Sequence, residues 1–161
     1  MNFSPCKEIL YCQEHAACGI NDDVTPPYLE KFRNIDGLIV ATPVMTMGIP
    51  GALKSFMDRF QVFFMAKYFR NDPLVSPDKK AHRRMLLLSI GGGENIEHDF
   101  DGIILSMKAF GHVIDCPYWG GEVLQNNMDE VIDITTRTDV MKAAYEKGYR
   151  MGELIARDMG E

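Results

Sequence analysis

Apolar positions along the chain follow two different periods, and these periods alternate. Residues 38–41 and 85–90 are short, almost wholly apolar runs rich in branched side chains, which is typical of parallel strands buried on both faces. A third, more polar run at residues 112–116 predicts a short edge strand. Elsewhere apolar side chains recur at helical spacing, predicting helices over residues 26–34, 50–68, 96–110 and from about 138 onward. The alternation predicts an α/β fold of three layers, a parallel sheet with helices on both faces.

The segment from residue 36 to residue 60 is the clearest strand–loop–helix unit. Its strand ends at Thr42-Pro43, and its helical period begins at Pro50, which suits a first helical turn because proline has no N–H to leave unpaired. The connecting loop therefore follows the carboxyl end of a parallel strand, where open α/β sheets bind ligands. The apolar face later in this helix is wide and favours a dimer interface; it includes Phe63, Phe64, Met65 and Phe69.

Composition limits the classes of function. A chain of 161 residues, 46% hydrophobic and 25% charged, is expected to form a single domain over residues 1–161 with a real core. Its net charge of −6 argues against a nucleic-acid partner, because phosphate recognition needs clustered Lys and Arg. There is no apolar run of membrane-spanning length and no signal-peptide pattern at the start. We therefore expect a cytoplasmic protein without a membrane partner.

Residues 1–24 form a cysteine-containing segment ahead of an α/β body at residues 25–161. Cys6, Cys12 and Cys18 are six residues apart, and positions six apart do not share a helix face, so a loop is better suited to gather the sulfurs. Without a secretory signal, cysteines indicate reduced thiols or metal ligands. The alternatives are structural thiols that hold no metal, or a zinc site completed by His15.

Several residues around the first loop resemble a known family. Thr42-Pro43-Val44, and then Pro50, Leu53-Lys54, Phe56 and Asp58-Arg59, resemble the flavodoxin-like NAD(P)H-dependent FMN reductases, and among them the iron–sulfur flavoproteins. The resemblance extends from about Ser4 to the C-terminus. It implies that this loop lies against the isoalloxazine ring of FMN, with contacts from Thr42, Pro43, Val44, Met45, Thr46 and Met47. The family often has aromatic residues where this chain has Met45 and Thr46.

The second apolar run ends in a glycine-rich turn, Gly91-Gly92-Gly93-Glu94-Asn95. Glycines after a parallel strand let the backbone approach a planar ligand closely. The turn is not a nucleotide P-loop, because no Gly-Lys-Ser/Thr follows. The resemblance implies that Gly91, Gly92, Gly93 and Asn95 bind the pyrimidine edge of FMN.

The resemblance also offers a third interpretation of the cysteines. Iron–sulfur flavoproteins carry a compact four-cysteine loop and an Asp-Asp pair, similar to Cys6, Cys12, Cys18 and Asp22-Asp23 here. Ile9 replaces the second cysteine of that pattern and cannot bind iron. Cubane clusters normally have four thiolate ligands. The three cysteines therefore imply either a cluster with one iron open or absent, or a loop that holds no cluster.

The resemblance further implies a central first strand and an FMN phosphate-binding loop ahead of the cysteines. In this sequence only a few residues precede Cys6, so we expect an N-terminally shortened flavodoxin-like domain. The flavin phosphate would then lack its usual ring of backbone N–H donors. A dimer could supply cover for the incomplete core.

These observations predict an FMN-dependent oxidoreductase. FMN would accept hydride from NAD(P)H and pass electrons to a quinone, a flavin or an iron–sulfur acceptor, so no side-chain acid or nucleophile is expected. Small-molecule electron acceptors and a homo-oligomer, a dimer or tetramer, are the expected partners. His82-Arg83-Arg84 either contact the phosphate of NADPH or form a solvated entrance to the second strand. The alternative is a flavin-free domain that acts by oligomerisation or partner binding.

Overall fold

A parallel three-stranded sheet lies at the centre of the fold. The computed structural model describes residues 1–94, 97–131 and 133–160. Strands β1 (Gly37–Pro43), β2 (Arg84–Ile90) and β3 (Val123–Gln125) lie side by side in that order. Both pairings are parallel, and Pro43 of β1 lies opposite Ile90, which lies opposite Gln125 of β3. The carboxyl ends of all three strands therefore meet at one edge of the sheet.

Helices connect and cover the strands. They are α1 (Tyr11–Glu14), α2 (Pro27–Asn34), α3 (Gly51–Asp58), α4 (Gln61–Tyr68), α5 (Pro77–His82), α6 (Asp101–Val113) and α7 (Thr138–Met159), with a 3₁₀ turn at Ile134–Thr136. In the described part of the chain, none of them combines the length and apolar character needed to cross a membrane.

The sheet is covered on both faces. On one face, Leu38 and Val40 of β1 belong to the main hydrophobic cluster, where the rings of Phe32 and Phe60 lie 4.3 Å apart. Neighbouring strand residues point to opposite faces, and on the other face Ile39 reaches Gly148 of α7. The predicted three-layer α/β arrangement is therefore confirmed.

The helix predicted over residues 50–68 divides in two. α3 ends at Asp58 and α4 begins at Gln61, and between them Arg59 N–H donates to Phe56 O at 3.1 Å in a tighter turn. Arg59 is 2% exposed, and its side chain faces the N-terminal segment. The spacing of the apolar residues gives no sign of this break, because the same spacing continues from α3 into α4. The wide apolar face is also mostly internal, since Phe63 and Met65 are buried and only Phe69, 62% exposed, faces outward.

The strand predicted at residues 112–116 is wrong. α6 continues to Val113, and Asp115 has a left-handed backbone, with φ 53°. The third strand lies further along the chain, at Val123–Gln125, and its residues are only partly buried. A strand this short and half polar has too few apolar residues for the sequence pattern to predict it.

β1 is not buried on both faces, contrary to the prediction. Ile39 is 50% exposed, and Ala41 is also exposed. Among the described residues β1 pairs only with β2, so its other side is an open edge. The residues of β2 follow the prediction, with Met85, Leu86 and Leu87 fully buried.

The basic residues before β2 do not form a solvated strand entrance. His82 ends α5, a helix that the sequence pattern did not predict, and Arg83 is 1% exposed. The Arg83 guanidinium donates to the carbonyl oxygens of Phe32, Arg33 and Ile114. Because these carbonyls enclose it, Arg83 is a structural cross-link and does not reach a cofactor phosphate.

Candidate functional site

Three loops emerge together from the carboxyl edge of the sheet. Val44 N–H donates to Ile90 O at 2.8 Å, which extends the pairing of β1 and β2 into their loops. Gly91 N–H donates to Gln125 O at 2.8 Å and does the same for β2 and β3. This edge is where open α/β sheets bind ligands, and two of the three loops contain the residues that the sequence proposed.

The loop after β1 is a tight hairpin. Met45 and Gly48 exchange two backbone hydrogen bonds of 2.9 and 3.0 Å. Thr46 and Met47, at its tip, have φ of 50° and 61°, a left-handed conformation that is costly for a β-branched residue. Met45 and Met47 are 56% and 45% exposed. Strained backbone and exposed apolar side chains both concentrate at ligand sites.

Residues at the start of α6 bring the first two loops together. A Cβ on Gly102 would lie 2.2 Å from Met47 O, so the hairpin rests directly on this glycine. A Cβ on Gly91 would lie 2.5 Å from Asp99 Oδ2 and 3.5 Å from Phe100 Cζ. Thr42 is buried at the end of β1, and Ser89 Oγ donates to its carbonyl at 2.8 Å. The predicted residues from 42 to 47 and from 91 to 93 therefore lie together at the carboxyl edge of the sheet, whereas Asn95 lies outside the described residues.

The glycine turn is held in place through its carbonyl oxygens. The carbonyl oxygens of Gly91, Gly92 and Gly93 accept from Met128, Asp129 and Asn127 at 2.9 to 3.1 Å. Within the described residues, the N–H groups of Gly92 and Gly93 donate to no acceptor. Two backbone donors are thus held in place and left available.

Asn126, which directly follows β3, adds an unpaired acceptor. Its Oδ1 atom is buried and has no hydrogen-bond donor within residues 1–94, 97–131 and 133–160. Oδ1 and the Asp99 carboxylate oxygen both lie 2.5 Å from the position that a Cβ on Gly91 would occupy. A buried acceptor without a donor costs free energy, so this point favours a ligand that supplies an N–H.

A cavity of about 400 Å³ lies beside these loops, between the strand ends and α7. Thr42, Pro43 and Ile90 line its sheet side, and Val140 and Ala144 line its helix side. The volume lies within the range of small-molecule sites, and the lining is mainly apolar, as is usual for them.

The three N-terminal cysteines also converge. Cys6, Cys12 and Cys18 line one small cavity of about 70 Å³. Burial raises the pKa of the Cys12 thiol, and the nearby Cys18 and Cys6 raise it further. In the part of the chain that the structure describes, no three His, Cys, Asp or Glu side chains are arranged to hold a metal ion. Three thiols around one cavity are one fewer than the four thiolates that a cubane cluster normally has, so an iron–sulfur centre here stays a prediction.

Arg59 joins the cysteine segment to the body of the protein. Its guanidinium donates to Asp22 Oδ2 at 2.6 Å, Ser4 O at 2.8 Å and Ile20 O at 3.0 Å, and lies 3.5 Å from Cys18 Sγ. Burial opposes ionisation of Asp22, but Arg59 and the N–H groups of Ser4, Val24 and Thr25 outweigh it and lower the pKa of that carboxyl well below its usual range. Asp58-Arg59 and Asp22-Asp23 were noticed in the sequence, but nothing in the pattern paired them across 37 positions.

Asn126 is not predicted as a site residue, because the third strand is predicted in the wrong place. With the third strand placed at residues 112–116, the residues after Gln125 were not recognised as a strand-end loop. The pair Asn126-Asn127 following Val-Leu-Gln was the available signal, since polar residues at a strand's carboxyl end are ligand candidates.

A parallel sheet whose strand-end loops lie together at its carboxyl edge defines an open α/β protein of the kind that binds ligands there. The chain belongs to the NADPH-dependent FMN reductase family, whose model matches residues 2–105.

Individual relatives agree with the family. The chain is 37% identical to an iron-sulfur flavoprotein of Archaeoglobus fulgidus over 65 residues, which is 40% of this chain and 33% of that protein. It is 29% identical to an iron-sulfur flavoprotein of Methanosarcina thermophila over 143 residues, covering 86% of this chain and 69% of the relative. The match to the Archaeoglobus protein thus spans one third of that protein's length.

Among solved structures, an FMN-dependent NADH-azoreductase from Bacillus anthracis in complex with FMN is 16% identical, with a TM-score of 0.44 over 81% of this chain and 60% of that chain. The fold assignment does not depend on this likeness, since it follows from the sheet and the family match.

The residues present fit the edge of a flavin ring. The lack of a Cβ at Gly91 leaves a polar recess bounded by Asn126 and Asp99, and the free N–H groups of Gly92 and Gly93 lie next to Gly91 in the chain. The exposed Met45 and Met47 provide apolar contact of the kind that a planar aromatic ring buries.

Proposed function

We propose that this protein is an FMN-dependent oxidoreductase that uses NAD(P)H as electron donor. The observation that carries the proposal is the convergence of the Met45–Gly48 hairpin and the glycine turn on residues 99–102 at the carboxyl edge of the sheet. Membership of the FMN reductase family supports the choice of ligand. The electron acceptor belongs to the class of small oxidants, such as a quinone or a free flavin.

Each part of the site has a role in this proposal. Thr42, Pro43 and Val44 would support the ring from the end of β1, and the side chains of Met45 and Met47 would cover one of its faces. The Gly92 and Gly93 N–H groups would donate to the carbonyl oxygens of the pyrimidine edge. Apolar cover excludes water from the ring, which protects a reactive reduced cofactor from side reactions.

The flavin supplies the redox chemistry when it is bound, and the protein supplies position and electrostatics. No side chain in the proposal transfers a proton to substrate or forms a covalent intermediate. We therefore expect that substitutions around the ring change affinity and reduction potential more than they remove a catalytic group.

The test is an ultraviolet–visible spectrum of protein purified without oxygen, recorded before and after addition of FMN and desalting. We expect a retained flavin band that bleaches on addition of NADPH or NADH. Gly102→Ala should weaken the band, because its Cβ would lie 2.2 Å from the backbone oxygen Met47 O, whereas Gly152→Ala, with open space around it, should keep the band. A wild-type protein that retains no flavin would overturn the proposal.

A flavin-free role in partner binding is the second candidate. It is favoured by the open edge of β1, with Ile39 half exposed. A spectrum without flavin, together with stable association of purified chains, would support it. A broad brown absorbance that bleaches on reduction would instead support the prediction that Cys6, Cys12 and Cys18 hold an iron–sulfur centre.

A further inference from the structure

Asn126 occupies a position that no sequence pattern assigned. It follows the last residue of β3, and its neighbours Asn127, Met128 and Asp129 donate their N–H groups to the glycine turn. These backbone bonds fix where the Asn126 side chain can lie. Its Oδ1 is consequently held against Gly91, buried, and without a donor in the described parts of the chain.

Donors and an acceptor lie close to Gly91 at this point. The Gly92 and Gly93 N–H groups are donors, and within the described residues neither is used. Asn126 Oδ1 is an acceptor held against the preceding residue, Gly91. A ligand edge that carries both an N–H and carbonyl oxygens can pair with these groups together, and unmade hydrogen bonds at buried groups are costly.

We propose that Asn126 Oδ1 accepts a hydrogen bond from the imide N–H of the flavin ring and thereby selects ligands with an imide edge. This edge is a carbonyl, an N–H and a second carbonyl, so it offers an N–H to Asn126 and carbonyl oxygens to the donors of the glycine turn. The inference rests on the proposed flavin function and adds to it the residue that recognises the centre of the edge.

The proposal is tested by flavin binding, measured from fluorescence quenching with wild type and Asn126→Ala. The probes are FMN and 3-methyl-FMN, in which a methyl group replaces the imide hydrogen. We expect Asn126→Ala to bind FMN about tenfold more weakly, the effect of one lost buried hydrogen bond. We also expect methylation to weaken binding to wild type but to make little difference to Asn126→Ala, which no longer offers the acceptor.

Thermal unfolding without flavin gives an independent readout. Replacing an unpaired buried acceptor with an apolar group removes its desolvation cost, so the midpoint of Asn126→Ala should rise by about 2 to 4 °C. A fall in the midpoint would show that the amide is already paired inside the protein and would overturn the proposal.

Asn127→Gly is the matched control. Asn127 lies in the same loop with φ 63°, a backbone conformation that glycine adopts without strain, and its N–H to Gly93 is retained. It should bind FMN as wild type does. Wild type that binds no flavin would overturn the proposed function, whereas wild type that binds FMN with Asn126→Ala binding equally well would overturn only the role of Asn126.

Discussion

Arg59 is the residue on which the N-terminal segment depends. Its guanidinium, 2% exposed, donates to Asp22, Ser4 and Ile20 from the turn between α3 and α4. A buried charge of this kind is tolerated because oxygens accept from both of its terminal nitrogens, one of them the carboxylate oxygen of Asp22. Removing one charged partner leaves the other charge buried and unpaired, and this unpaired charge strongly destabilises the folded state.

We expect Asp22→Asn to destabilise the protein by about 3 kcal/mol at pH 7. The change keeps the size of the side chain and removes only the negative charge beside Arg59. Urea unfolding followed by circular dichroism measures the effect. Asp23→Asn, a neighbouring and exposed carboxylate, should change stability by less than about 0.5 kcal/mol, and equal effects from the two variants would contradict the role of Arg59.

The ion pair between Asp22 and Arg59 also makes the stability of the protein depend on pH. The folded pKa of Asp22 is lowered, so its contribution is present above its unfolded pKa of about 3.9 and is lost as the pH falls toward the folded value. The stability difference between wild type and Asp22→Asn should therefore be complete at pH 6 and begin to shrink below about pH 4. A stability difference that stays constant down to pH 3 would show that the charge of Asp22 is not responsible.

The backbone conformation of Thr46 indicates that a glycine at this position would stabilise the protein. Thr46 holds φ 50° at the tip of the hairpin, and this conformation costs a non-glycine residue about 1 kcal/mol or more. Thr46→Gly should raise the free energy of unfolding by about 1 kcal/mol, as measured by urea unfolding. Thr46→Ala keeps the strain and should bring no gain, so equal stabilisation by the two variants would contradict the explanation.

At the scale of elements, one glycine of α6, Gly102, and one of α7, Gly152, are expected to respond oppositely to replacement by alanine. A Cβ on Gly102 would lie 2.2 Å from Met47 O, whereas nothing lies within 4 Å of a Cβ on Gly152. Gly102→Ala should destabilise by about 1 to 3 kcal/mol and weaken flavin binding, because the hairpin must move. Gly152→Ala should stabilise by about 0.5 to 1 kcal/mol through helix propensity. Thermal unfolding checks both signs, and a stabilised Gly102→Ala would refute the contact.

Elements with a strong apolar period could be predicted from the sequence. The predicted bounds of β2 and α2 lie close to the observed ones, because a buried strand or helix face requires apolar residues at a regular spacing. The break at Arg59 could not be found, since a buried arginine that pairs with a distant carboxylate leaves no local signal. β3 is too short and too polar to show one, and Asn126 was missed along with it.

At the scale of the whole molecule, the open edge of β1 is the exposed boundary of the sheet. Ile39 is 50% exposed there, and Tyr145 and Tyr149 of α7 are 72% and 60% exposed. Unpaired strand edges flanked by apolar side chains favour association between chains. The predicted homo-oligomer is compatible with such an edge.

We expect Ile39→Lys to reduce concentration-dependent association, because a charge on an edge strand opposes edge-to-edge pairing. Sedimentation velocity over a range of concentrations measures it. Leu105→Lys is the control, since Leu105 is 70% exposed on α6 and is not part of the edge. Association that is unchanged by Ile39→Lys and reduced by Leu105→Lys would place the contact on the α6 surface instead.

The long α7 helix covers one face of the sheet with Met151 as its buried side chain, and it also forms one wall of the 400 Å³ cavity. A helix with so little buried apolar area separates from its support at a smaller free-energy cost than the central strand does. Its amide hydrogens should exchange with solvent long before those of β2. The wall of the cavity then opens before the central strand does, so the cavity changes shape while the rest of the sheet stays intact.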